Sequence, residues 1–136
     1  SYRRALAGKA GPRHIDSPKD PVEAVCAAAV ETASHVRARA IACLTHSGRT
    51  ARLISRYRPE QEIVVALTDS AAVIRQAGLL WGTIGVSVDR IDQTDSIFPL
   101  VRSKLRAMGM RGRIVLTAGI PVPEKGSTNT LHIVSI

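Results

Sequence analysis

Ala40-Ile41-Ala42-Cys43-Leu44-Thr45-His46-Ser47-Gly48-Arg49-Thr50 joins an unbroken apolar run to a polar turn. A short apolar run bounded by turn residues is the mark of a strand buried on both faces, as in a parallel sheet covered by helices. The turn leads into Thr50 to Tyr57, predicted as a helix that Pro59 stops. Strand, turn and helix in that order form the unit from which a doubly covered sheet is assembled.

The same unit recurs on the C-terminal side. Glu62 to Leu67 reads as a second strand, and Asp69 or Ser70 caps a helix that ends near Gly78. Gly82 to Val88 reads as a third strand, and Thr94 or Asp95 caps a long helix through Ala107, closed by Gly109. Arg113 to Thr117 reads as a fourth strand, followed by a Gly- and Pro-rich loop and a fifth strand from Thr130 to Ile136. Because the last connection holds no helix, strands four and five are expected as a hairpin, with strand five antiparallel at an edge. On the N-terminal side, Ser17-Pro18-Lys19-Asp20-Pro21 signals helix entry, with Asp20 as N-cap and Pro21 at the first helical position. Val22, Val25, Cys26, Ala29, Val30 and Ala33 then recur at helical spacing. Residues 1–19 are the least regular and read as a linker or the end of a preceding helix; residues 20–136 read as one domain. The expected fold is α/β, a three-layer sandwich whose five-stranded mixed sheet is flanked by helices.

Composition narrows the function. The chain has 136 residues, enough for one core without disulfides or metals. Aromatics make up only 3% of it, so Ala, Val, Ile and Leu must build that core. The net charge of +8 suits an anionic partner, but no aromatics interleave with the basic residues to stack bases, which disfavours nucleic acid. Cys26 and Cys43 sit among apolar residues without metal-ligand spacing, which points to buried free thiols and a reducing cytoplasm. No apolar run approaches membrane-spanning length.

The chemistry concentrates in two segments. In the first, a helix N-terminus directs unpaired N–H groups and partial positive charge outward. Gly48 lets the backbone approach an anion, Thr45, Ser47 and Thr50 offer hydroxyls, Arg49 brings a fixed charge, and His46 lies among them. These residues describe a phosphate cradle at the carboxyl end of a strand, a reading favoured slightly over a capped turn with Ser47 as N-cap. Neither a Walker loop nor a Rossmann glycine triplet is present. The second segment is the loop Gly119 to Asn129, longer than a hairpin needs. Gly119, Lys125, Gly126, Ser127, Thr128 and Asn129 fit a closure over an anion, or a loop that bonds to itself. His14, His35, His46 and His132 share no ligand spacing, and Asp89, Asp92 and Asp95 read best as a solvated turn with Asp95 as a cap. No catalytic residues and no metal ligands are assigned.

Taken together, three stretches resemble the C-terminal domain of pyruvate kinase: Leu44 to Ala51 running into Ser55-Arg56-Tyr57-Arg58-Pro59, the pair Trp81-Gly82, and Thr117-Ala118-Gly119 with Gly126-Ser127-Thr128-Asn129. The resemblance implies an α/β domain that binds a phosphorylated effector at Thr45 to Thr50, closes the Gly119–Asn129 loop over it, and contributes to a subunit interface of a tetramer. It also implies that phosphoryl transfer from phosphoenolpyruvate to ADP belongs to a separate barrel, which binds Mg²⁺ and K⁺ and has no counterpart in these residues. The chain departs from the pattern of fructose-bisphosphate-regulated members. Ile120-Pro121-Val122 stands where they carry Trp-Arg-Pro, and between Asp92 and Arg102 there is no Trp, with Arg102 the basic candidate. A monophosphate, or phosphate itself, fits this pattern better than a bisphosphate. Gly85 replaces a Pro common after the Trp-Gly pair, a change that bears on packing. The alternative function is a free-standing phosphate- or sugar-phosphate-binding protein of the same fold without kinase activity.

Overall fold

The computed structural model describes residues 20–60, 62–89, 93–119 and 128–136. Four α-helices and five strands alternate along them: α1 (Pro21–His35), β1 (Ala40–Leu44), α2 (Arg49–Arg56), β2 (Ile63–Thr68), α3 (Ala71–Ala77), β3 (Thr83–Ser87), α4 (Ile97–Ala107), β4 (Arg113–Ala118) and β5 (Thr130–Ser135). The sheet order is β3-β2-β1-β4-β5. All neighbours run parallel except β4 and β5, which pair antiparallel from Arg113↔Ser135 to Ala118↔Thr130. The fold class and the antiparallel edge are therefore as the sequence predicted. Among the described residues no helix is long and apolar enough to cross a membrane.

Each strand splits its side chains between two cores, because successive residues point to opposite faces. Ile41 and Cys43 of β1 join Val64 and Ala66 of β2 and Val115 of β4 under α1 and α2. Ala40 and Ala42 join Val65, Leu67, Ile114 and Leu116 under Ile97, Val101 and Leu105 of α4. Helix α1 begins as its sequence dictates: the Asp20 carboxylate accepts the Val22 N–H at 3.0 Å, and Pro21 occupies the first turn. Ser70 caps α3, its hydroxyl accepting from the Val73 N–H at 3.3 Å.

Two local expectations change. Asp95 does not cap α4; it lies inside a 3₁₀ turn, Thr94–Ser96, and Ser96 holds the cap position without a side-chain bond. Pro99 sits in the first turn of α4, where its missing N–H costs no intrahelical bond. Gly85 is required by close approach: a Cβ there would lie 2.8 Å from Ile74 Cα and 3.0 Å from Ile74 O, so α3 rests directly on β3.

Candidate functional site

The strand order sets where the sheet can open. From β1 the chain moves through α2 to β2 on one side, while β4, on the other side of β1, is reached through α4 on the opposite face. Connections leaving adjacent strands in opposite directions open a crevice at their carboxyl ends, the usual ligand position in open α/β sheets. Thr45 follows β1 and Gly119 follows β4, and in-register pairing of Cys43 with Thr117 sets these two exits side by side.

The turn after β1 is held by its own hydroxyls. Thr45 Oγ1 accepts the Gly48 N–H at 2.9 Å, and Ser47 Oγ accepts the Arg49 N–H at 3.3 Å. The N-cap of α2 is Gly48, not Ser47. Its φ of 84° lies in the left-handed region, and a Cβ there would stand 3.2 Å from Val73 Cγ1, so the position suits glycine on both counts. Behind the turn, Arg52 donates to the Ser47 carbonyl at 3.3 Å. Thr50 and Ala51, in the first turn of α2, have N–H groups without an i−4 carbonyl inside the helix.

The second segment meets the first. Thr50 Oγ1 and Thr128 Oγ1 lie 2.7 Å apart, a hydroxyl–hydroxyl bond between residues 78 positions apart in the chain. Both residues are buried. Asn129 N–H donates to the Ala118 carbonyl at 3.1 Å, closing the base of the loop, and Asn129 itself is exposed. Of the loop residues singled out in the sequence, Gly119, Thr128 and Asn129 are described, whereas Lys125, Gly126 and Ser127 lie outside the described residues, as do Ile120 to Val122 and the linker assignment for 1–19.

Two partnerships at the site were not anticipated. The Arg49 guanidinium pairs with Asp20, the N-cap of α1. That contact holds the Asp20 carboxyl below its ordinary range, helped by the Val22 N–H, and raises Arg49 in turn. His46 Nδ1 lies 3.1 Å from Asp69 Oδ1, with the His46 ring largely exposed. Asp69 directly follows β2 as Thr45 and His46 follow β1, so alignment of the strand ends would have revealed that pair; nothing local to either residue signals Asp20 with Arg49. Arg102 does not reach the turn: its Nε donates to the Ser135 carbonyl at 3.3 Å.

Elsewhere, Trp81 is partly exposed, its ring under the Arg58 guanidinium at 5.3 Å, and its carbonyl accepts from Ser55 and Thr83. The thiols of Cys26 and Cys43 are buried and free, and desolvation pushes Cys26 up to about 12 and Cys43 higher. Among the described residues no group of three or more His, Cys, Asp or Glu side chains is placed to hold a metal ion. The Ser47 hydroxyl accepts the Arg49 N–H, and His46 Nδ1 faces Asp69. The hydroxyls of Thr45, Ser47 and Thr50 and the guanidinium of Arg49 each have a partner within the chain, and they gather at the start of α2.

The strands and helices thus define an open α/β domain with a five-stranded mixed sheet. The profile of the pyruvate kinase alpha/beta domain matches residues 23–134. The chain is 36% identical over 118 residues to the pyruvate kinase of Staphylococcus saprophyticus, covering 83% of this chain and 20% of that protein. It is 34% identical over 120 residues to the enzyme of Geobacillus stearothermophilus, covering 83% and 20%, and 31% identical over 137 residues to that of Sporosarcina psychrophila, covering 97% and 22%. The chain belongs to the pyruvate kinase alpha/beta domain family, and it spans about a fifth of the length of these relatives.

Proposed function

We propose that this chain is the regulatory domain of a pyruvate kinase, binding a phosphorylated effector at the turn Thr45-His46-Ser47-Gly48-Arg49-Thr50. The supporting observation is the 2.7 Å bond between Thr50 and Thr128, which brings the turn after β1 against the end of the long β4–β5 loop. One anion is favoured because the turn's hydroxyls and the first N–H groups of α2 lie at one helix start, while Arg102 is engaged with Ser135. A monophosphate, or phosphate alone, suits it better than a bisphosphate. Phosphoryl transfer, with its Mg²⁺ and K⁺, is assigned to the remainder of the parent enzyme, and no cofactor is assigned to this domain.

Calorimetric titration with inorganic phosphate, a hexose monophosphate and fructose 1,6-bisphosphate tests the reading. Saturable binding of the first two, weakened by Arg49→Ala with the fold intact, is expected. Equal affinity of native and Arg49→Ala chains would remove Arg49 from the site.

The domain is also proposed to self-associate through β5. That strand is paired on one side only, and Ile133 is 52% exposed on it. An unpaired edge of this kind is a template for strand addition. Equilibrium sedimentation at high concentration should show concentration-dependent association; a clean monomer throughout would exclude it.

A further inference from the structure

Arg49 opens α2, yet its guanidinium is spent on a carboxylate 29 positions earlier. Asp20 uses both oxygens at once: Oδ1 holds the Val22 N–H at 3.0 Å, and Oδ2 holds Arg49. Glu23, in the first turn of α1, also acts electrostatically on Arg49. The cation that a bound phosphate would use is therefore already occupied by an anion of the chain itself, and that anion is the cap of another helix.

We infer that Asp20 is a built-in competitor for Arg49, so that anion binding after β1 and the capping of α1 are coupled. The inference rests on the phosphate reading of the Thr45–Thr50 turn. A phosphate that draws Arg49 toward it takes away one of the two partners that fix the Asp20 carboxylate. The Val22 N–H then meets a carboxylate with new freedom, and the entry into α1 loosens. Linkage makes the relation reciprocal: the factor by which a bound anion weakens the Asp20–Arg49 pair is the factor by which that pair weakens anion binding. The signal arrives at the point where residues 1–19 join the domain in sequence.

Asp20→Asn separates the two roles. Asn caps a helix about as well as Asp, so α1 keeps its Val22 bond, while the charge that competes for Arg49 is gone. Glu23→Gln is the matched control, because it removes the same charge from the same turn and touches neither the ion pair nor the cap. Inorganic phosphate is titrated into the three chains, with affinity read by calorimetry and backbone amides by NMR. Asp20→Asn is expected to bind phosphate about two- to fivefold more tightly, the scale of a partly exposed ion pair. Glu23→Gln is expected to change affinity less than about twofold, as a screened charge without direct contact would. Phosphate should shift the Val22 amide in the native chain and leave it in place in Asp20→Asn. Equal tightening by both substitutions would reduce the effect to net charge and overturn the coupling. So would a Val22 amide unmoved at saturation while the amides of residues 45–50 shift, a result that leaves the cradle standing. Absence of saturable phosphate binding in the native chain and in Asp20→Asn alike would remove the cradle, and the coupling with it.

Discussion

Replacing Thr50 by Val removes one hydroxyl and almost no volume, at a residue that is 5% exposed. Its partner Thr128, 6% exposed, is then left with a buried hydroxyl facing a methyl group in place of the oxygen that stood 2.7 Å away. An unsatisfied buried polar group of this kind costs about 1–3 kcal/mol. The reverse substitution, Thr128→Val, strands the Thr50 hydroxyl and should cost a similar amount. The double substitution leaves no hydroxyl unpaired; its residual cost is the small parting needed for two methyl groups, which sit about 3.5–4 Å apart where the oxygens stood at 2.7 Å. The double mutant should therefore be more stable than either single one, with a coupling of about 1–2 kcal/mol. For a domain of this size, each kcal/mol corresponds to roughly 3–5 °C in melting temperature. Urea unfolding of the four chains with an unchanged m-value is the appropriate assay. Two single substitutions whose costs simply add in the double mutant would refute the reasoning, since the hydroxyls would then be paired with something other than each other.

Gly85→Ala should destabilise by about 1–2 kcal/mol, because the overpacking cost of about 1–3 kcal/mol against Ile74 exceeds the few tenths to 1 kcal/mol gained by restricting the unfolded chain; urea midpoints decide, and a more stable variant would mean α3 lifts off β3 freely. Cys26 and Cys43 should resist alkylation at pH 8 in the native protein and react on unfolding, as timed by mass spectrometry; rapid native labelling would show that the core opens readily. The thiol pKa values also set an alkaline limit. Both are higher in the folded chain than the ordinary thiol value of 9.0, so their contribution is complete below pH 9 and is lost as pH rises, for Cys26 toward about 12. Unfolding free energy should fall over that range, and Cys26→Ala should flatten the fall; a native profile level to pH 11 would contradict it. A chain with Ile133→Lys should sediment as a smaller species than the native chain if β5 is an association edge, and at the same size if it is not.

The sequence by itself determined the element order, the two-sided burial of β1 and β2, the Asp20–Pro21 helix start and the antiparallel last strand. Each of these is written in residues close together in the chain: an apolar run, a helical period, a cap beside a proline, or a connection without a helix. It also marked the two segments of the candidate site, because Ser-Gly-Arg-Thr before a helix and an over-long loop are local patterns.

What only the tertiary structure decided is which distant residues share a partner. Arg49 looked like free positive charge because nothing in the turn could neutralise it; the Asp20 that does so stands on α1, brought close by packing of α1 and α2 on the same face of the sheet. Thr50 and Thr128 read as independent hydroxyls until the β1–β4 pairing set their two segments side by side. Gly85 could be seen to replace a Pro, but the reason lay in the contact of α3 with β3. The polar turn at Thr94 to Ser96 suggested a capped α-helix, and the backbone there takes a 3₁₀ turn instead. Local sequence sets which backbone conformations are cheap; the long-range pairings follow from the order in which the strands are laid into the sheet, and that order is fixed by burying every apolar face at once.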